Sequence, residues 1–501
     1  MRKQQARALG LIIAAGTLVA SAPVMAQGAD SAMLKKLQEQ IQMLQQQVQT
    51  LQQQQARNTN SPYPDGQGQS TELQNAAGDV GIKEQAPAAE TQTAEVSEAE
   101  DQTQQVASQD GSDTREADKD ITKAEKGPVK KLAVGGAVAA NYQVRGNDVP
   151  NQRDGGNLNF NYFAVNFSGQ YGKLTYAAEQ RFSEVNFGDS SYLHYGWGAY
   201  DFNDHHQLKV GYFQRPFGNI PIGYQSFWGN LGFYTGFNDN QAGGAGYRYT
   251  NGPWQVDVDF FKNATLNQPS TYGANPVDGY DQVNGGNGRL GYTFNKGGDK
   301  SVNVSLSARG GELEVGTSAN DQGVTSDYGN HWAVAAATRA TLNNWTLSGQ
   351  ATTYQYNVPD GRTAGNGNSL PTDSVTLQNY GFRYQVPAEG TLYTADIGRS
   401  FTVDRWTFNS FNVYAEYGYL DADGRYNDSV PSSSTYDPNS TNGDTQLATV
   451  GAYANAGPFY VWADMIMGRN AAMAFTGPNN GDWQPRFNLA LAYYFSADVI
   501  D

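Results

Sequence analysis

The 501-residue sequence predicts an all-β fold, a transmembrane antiparallel β-barrel of sixteen strands behind a short N-terminal coiled coil and a disordered linker. Three observations predict it: strand-length segments with apolar residues at every second position, short connections alternating with long ones, and an export-type N-terminus. The segment Arg486 to Phe495 shows the rule most clearly. Phe487, Leu489, Leu491, Tyr493 and Phe495 fall on one face, for lipid, and Arg486, Asn488, Ala490, Ala492 and Tyr494 on the other, for water.

Composition narrows the class. Only 39% of residues are hydrophobic, and after the N-terminus no apolar run reaches the roughly 20 residues that a spanning helix requires. The 31 tyrosines and 57 glycines suit a barrel with aromatic girdles and tight turns. A formal net charge of -16 argues against a nucleic-acid partner, which needs a basic surface. The absence of cysteine is compatible with export and equally with a reducing compartment.

The chain divides into four stretches. Residues 1–26 have a basic start at Arg2, Lys3 and Arg7, an apolar core from Leu9 to Ala20 and a small-residue cleavage site at Val24 to Ala26, the three parts of a secretory signal peptide. In residues 27–57, Leu34, Leu37, Ile41, Leu44, Val48 and Leu51 recur at alternating spacings of three and four, a heptad seam that self-association would bury. Residues 58–127 change to Gln, Ala, Glu, Ser, Thr, Asp and Pro with almost no aromatics, a flexible acidic linker by composition. Residues 128–501 form the barrel domain.

Within that domain, strand periodicity covers 132–144, 161–171, 173–183, 192–202, 207–214, 244–250, 253–262 and 288–295 in the first half. In the second half it covers 301–310, 331–342, 345–356, 376–386, 411–420, 446–455, 458–467 and 486–495. Links such as Tyr171-Gly172-Lys173, Asn251-Gly252-Pro253 and Asn343-Asn344 are short, and those at 215–243, 263–287, 311–330 and 421–445 are long. Outer-membrane barrels place short turns in the periplasm and long loops outside, whereas a soluble sandwich has no reason to alternate this way. Residues 387–410 break the pattern: they fall where a short turn belongs, and although Leu392 to Ile397 is strand-like, counting it gives seventeen strands where such barrels use even numbers, so the stretch is read as a long periplasmic excursion. Eighteen strands, with a further one near Val403 to Ser410, is the alternative.

With the apolar parity assigned to lipid, Arg145, Arg181, Lys209, Arg215 and Arg248 fall on the inner parity, as do Arg289, Arg309, Arg339 and Arg383. Glu179, Asp257, Asp259, Glu416 and Asp464 join them. An Arg or Lys facing lipid at mid-depth would cost roughly 2–4 kcal/mol, which favours the lumen. Two readings stay open: an arginine-lined path for anions with facing carboxylates, or pairing of the two signs across the wall. The predicted pore-lining set is Lys209, Arg215, Arg181, Arg248, Arg289, Arg309, Arg339, Asp257 and Asp259, with Lys209 and Arg215 foremost because they lead into residues 216–244. That segment, with Phe217, Phe227, Trp228, Phe233, Tyr234 and Phe237, is too apolar to extend into water. Folded inward, it would bring Asn219, Gln225, Asn230, Asn238 and Asp239 to the narrowest point; covering a trimer interface is the other outlet.

The stretch Leu208-Lys209-Val210-Gly211-Tyr212-Phe213-Gln214-Arg215-Pro216-Phe217-Gly218, with Gly243-Gly244-Ala245-Gly246-Tyr247-Arg248-Tyr249 after it, resembles the fifth strand, third loop and sixth strand of phosphate-selective porins of the O/P type. Dicarboxylate-associated porins with an N-terminal coiled coil are related to these. The resemblance spans Lys131 to Phe495 and implies a homotrimer of sixteen-stranded barrels, each narrowed by its own third loop. The family's phosphate selectivity uses lumen lysines and arginines, and these do not align here residue by residue. The expectation is an outer-membrane porin for passive or facilitated diffusion of small hydrophilic solutes, with a modest tilt toward anions. A substrate-specific channel for sugars or siderophores, or a structural envelope anchor, is the alternative.

Nothing in the sequence carries catalysis, and no cofactor is implied. His194, His205, His206 and His331 lack a nucleophile at motif spacing. Asp421-Ala422-Asp423-Gly424 begins like a calcium loop, but the glycine comes too early and the closing Glu is missing, so no metal site is expected. Ser496 to Asp501 continue past Phe495, where related barrels end on the aromatic.

Overall fold

The computed structural model describes residues 130–145, 155–183, 190–266, 272–277, 279–315, 328–361, 369–379, 382–405, 407–424, 426–427, 441–476 and 479–500. The signal peptide, coiled coil and acidic linker lie outside the described residues. Sixteen strands close into one antiparallel barrel. They are β1 (Lys130–Arg145), β2 (Asn157–Tyr171), β3 (Leu174–Ser183), β4 (Ser190–Asn203), β5 (His206–Gln214), β6 (Gln241–Asn251), β7 (Trp254–Asn263) and β8 (Tyr280–Phe294). Then follow β9 (Lys300–Val315), β10 (Tyr328–Leu342), β11 (Trp345–Asn357), β12 (Glu389–Arg405), β13 (Phe408–Ala422), β14 (Thr445–Ala456), β15 (Phe459–Arg469) and β16 (Trp483–Ile500).

Closure is made by β1 against β16, with Arg145 opposite Arg486, Ala137 opposite Tyr494 and Leu132 opposite Ile500. The ladder therefore runs past Phe495, and residues 496–500 extend the closing strand. A closed ladder leaves no edge whose N–H and C=O groups would meet hydrocarbon unpaired. Alternation sets the two faces as expected. Val138, Phe167, Val210, Val258, Leu306, Val334 and Leu491 are exposed on the outside, whereas Ala139, Ala164, Ala333 and Ala490 are buried within. Aromatics gather on the outer face beside the tight turns: Tyr200, Trp254, Phe294, Trp345, Phe411 and Phe459 form that girdle.

The count of sixteen was right for a reason that needs correcting. The predicted strand 376–386 is not in the wall: Ser374–Asn379 and Phe382–Pro387 pair with each other as a hairpin, joined by Asn275–Pro276 as a third strand. The predicted periplasmic excursion at 387–410 is in fact β12 and the start of β13, paired to β11 and to each other. The physical difference is in the burial pattern. Residues 374–379 are buried at every position, as a strand inside a packed plug must be, whereas 390–399 alternate buried and exposed. With that exchange the irregular connection disappears. Every turn on one rim is short, including 406–407, and residues 358–388 join β11 to β12 on the long-loop rim.

Candidate functional site

The lumen is crossed by the connection 215–240 between β5 and β6, and the sequence explains why it turns inward. Phe217, Trp228, Leu231, Phe233, Tyr234 and Phe237 are buried there, and each such side chain contributes about 1.5–3 kcal/mol when removed from water. A single helical turn, α1 (Leu231–Tyr234), is capped by Asn230, whose side-chain oxygen accepts from Phe233 N at 3.1 Å. At its far end the loop meets the opposite wall. A Cβ added at Gly418 of β13 would lie 3.0 Å from Leu231, so any larger residue there would push this turn back by a few tenths of an ångström.

Wall charges hold the loop by its backbone. Arg289 Nε donates to Gly218 O at 3.0 Å, Arg309 to Gly236 O at 2.8 Å and Arg339 to Ile222 O at 2.7 Å. From the other side, the Glu416 carboxylate accepts from Ser226 N at 2.9 Å and from Gln225 N, and Asp396 accepts from Gln225 Nε2 at 2.6 Å. Asn219 N donates to Gln350 at 2.9 Å. An irregular loop has no ladder of its own, so these charge-assisted bonds satisfy backbone groups that would otherwise be buried unpaired.

The predicted pore-lining residues separate into two groups. Lys209, Arg248 and Arg339 are partly exposed on the inner wall: Lys209 lies 4.1 Å from the Trp197 ring, and Arg248 pairs with Asp257 at 2.7 Å. The others are buried. Arg181 pairs with Glu179 at 2.6 Å, and that carboxylate also meets His194 at 2.7 Å. Arg289 approaches Asp257 at 4.0 Å, and Asp259 accepts from Asn287 at 3.3 Å. Arg309 lies over the Phe237 ring.

Arg215 is buried just beyond β5, donating to Gln282 at 2.9 Å and Asn275 at 2.8 Å, so it fastens the base of the loop to its neighbours. Arg383, predicted for the inner wall, sits instead on the hairpin and is exposed, because its segment is not a wall strand. Among the predicted loop amides only Gln225 is partly exposed. Asn219, Asn230, Asn238 and Asp239 are buried, Asp239 accepting from Tyr224 at 2.8 Å and Tyr272 at 2.6 Å.

Asp396 escaped the sequence reading because its strand was taken for a connection, although Leu392, Thr394 and Asp396 alternate with Tyr393, Ala395 and Ile397. On the tight-turn rim His205 Nδ1 meets Thr250 O at 2.8 Å and His206 meets the Tyr247 hydroxyl.

A family model described as a protein of unknown function (DUF3138) matches residues 7–178. No curated protein matches the chain. Among solved structures, the chain is similar to the outer membrane channel DcaP of Acinetobacter baumannii, with TM-score 0.44, 13% identity, and 74% of this chain and 99% of that one covered. It is also similar to the anion-selective porin from Comamonas acidovorans, with TM-score 0.43, 12% identity and coverage of 73% and 100%. A third likeness is to the outer membrane protein OmpT of Vibrio cholerae, with TM-score 0.41, 12% identity and coverage of 74% and 100%.

Proposed function

We propose that the chain is an outer-membrane porin that passes small hydrophilic solutes by diffusion through a lumen narrowed by residues 215–240. The observation that carries this reading is the combination in one wall of an apolar outer face and a charged inner face, closed without an edge. Such a wall is stable in lipid and needs water or paired charge within. The O/P-type resemblance at Leu208 to Tyr249 agrees with it.

A modest tilt toward anions is the finer part of the proposal. The cations Arg145, Lys209, Arg248 and Arg339 keep partial exposure, while the carboxylates of Asp257, Asp259, Asp396, Glu416 and Asp464 are buried against partners or the loop. A permeating ion therefore meets positive charge first. The buried charges of Arg289, Arg309, Asp396 and Glu416 brace the loop, and Arg181 pairs with Glu179. A homotrimer, with the heptad seam at Leu34 to Leu51 in the periplasm, is part of the same proposal and rests on the sequence.

Bilayer conductance with a salt gradient tests it. Discrete steps with a reversal potential on the anion side are expected, and a silent protein would refute the channel.

A further inference from the structure

We infer that a small cavity behind the base of the inward loop, against β8 and β9, holds one monatomic anion, a halide, that ties the two ends of residues 215–240 together. The inference goes beyond the channel reading and does not need conduction. The cavity measures about 20 Å³, room for one water-sized particle, and Arg215, Arg309, His331, Gln282 and Asn287 line it. Phosphate or a carboxylate-bearing solute is too large for it. Arg215 is the first residue of the loop, and Arg309 holds the carbonyl of Gly236 near its end at 2.8 Å. An ion between the two guanidiniums therefore joins start to end.

Charge carries the argument. Arg215 and Arg309 are both buried, and their hydrogen bonds go to neutral groups: Arg215 to Gln282 Oε1 at 2.9 Å and Asn275 Oδ1 at 2.8 Å, Arg309 to the Gly236 carbonyl. None of the residues lining the cavity is acidic. Asp259 reaches the group only through Asn287, whose Nδ2 donates to it at 3.3 Å. Two guanidiniums thus share one cavity with no carboxylate on its lining, and a buried cation without a counter-charge is strongly unfavourable.

The unused donors agree with it. Arg215 Nε, Arg309 Nε and Gln282 Nε2 are buried without a partner among the described residues, and all three belong to residues that line the cavity. One small anion meets both needs, accepting from several donors and offsetting the positive charge. Asn287 Oδ1 is the one acceptor on the lining in the same condition, and a water would satisfy it. A water would leave both guanidiniums uncompensated, so the charge balance selects the anion. A small ion can also reach the place. Gly285, Gly286 and Gly310 form one side of the cavity at a β-bulge and keep exposure. Beside them the exposed side chains of Lys262, Asn284 and Glu312 bond to one another, which sets this part of the wall at the watered long-loop rim rather than in hydrocarbon.

The test uses the full-length protein in detergent, with bromide and chloride as probes and gluconate as the bulky anion at matched ionic strength. Crystals grown in sodium bromide should show an anomalous peak in the cavity. Density there without anomalous signal means water, and overturns the site. In solution, chloride in place of gluconate should raise the melting temperature by roughly 2–4 °C and slow amide exchange of residues 216–237 several-fold. Gln282→Glu places a carboxylate beside Arg215 and should make the ion redundant: the bromide peak disappears and melting no longer depends on chloride, while the fold is kept. A peak or a chloride response that persists in that variant would count against the site. Arg399→Gln removes an exposed cation from the outer face and controls for general screening, so it should respond to chloride as the parent does. Loss of the response there would assign the effect to the ionic atmosphere and overturn the clamp.

Discussion

Two segments enter the barrel from the long-loop rim, residues 215–240 and the hairpin 374–387, and they stay there by different physics. The hairpin satisfies its own backbone: Ser374 to Asn379 pair with Phe382 to Pro387, so its apolar residues Val375, Leu377 and Val386 can be buried without help from the wall. The loop 215–240 has only one helical turn, and its carbonyls are met by Arg289, Arg309 and Arg339. The lesson is that the inner-wall charges of this barrel are divided. Arg289, Arg309, Arg339, Asp396 and Glu416 brace an irregular loop, while Lys209, Arg248 and Arg339 also keep partial exposure on the inner wall.

That comparison breaks most visibly if the loop is removed. Replacing residues 219–239 by a short glycine linker should raise single-channel conductance several-fold, because the obstruction across the lumen goes with them. Equal conductance in the two proteins would mean that the loop does not set the narrowest point. Next in size is Leu377→Ala in the hairpin. Leu377 is fully buried, and its truncation should cost about 2–5 kcal/mol of stability, read as a lower melting temperature, with the ionic selectivity retained. Arg309→Ala should cost about 1.5–3 kcal/mol through loss of its bond to Gly236 O, and should also widen the conductance distribution as the loop loosens. An unchanged distribution would show that apolar packing alone holds the loop. Smallest is Gly418→Ala, whose Cβ meets Leu231 at 3.0 Å; a shift of α1 by a few tenths of an ångström should alter conductance slightly and stability by about 1–3 kcal/mol.

The same comparison explains what was legible in the sequence. Wall strands such as β16 and β1 expose one face and bury the other, so period-two patterning gives them away, and the loop 215–240 was recognisable because an aromatic-rich connection must be covered. The hairpin was misread because a strand buried on both faces shows the same β-branched and aromatic composition as a wall strand. Its neighbour β12 was set aside, although Leu392 to Ile397 is strand-like, because counting it beside 376–386 gives an odd number of strands. The inner parity of Arg181, Lys209, Arg248, Arg289, Arg309 and Arg339 followed from alternation, but the division into struts and exposed cations did not. It depends on where loop carbonyls come to rest, which is a property of the folded lumen.

Reversal potential across a salt gradient, measured on the parent protein and on Lys209→Glu/Arg339→Glu, tests the central claim most directly. Ionic current with an anion-side reversal is expected in the parent, moving to the cation side in the variant, because the exposed lumen charge changes sign. Absence of current in the parent, or a cation-side reversal unaffected by the two substitutions, would contradict it.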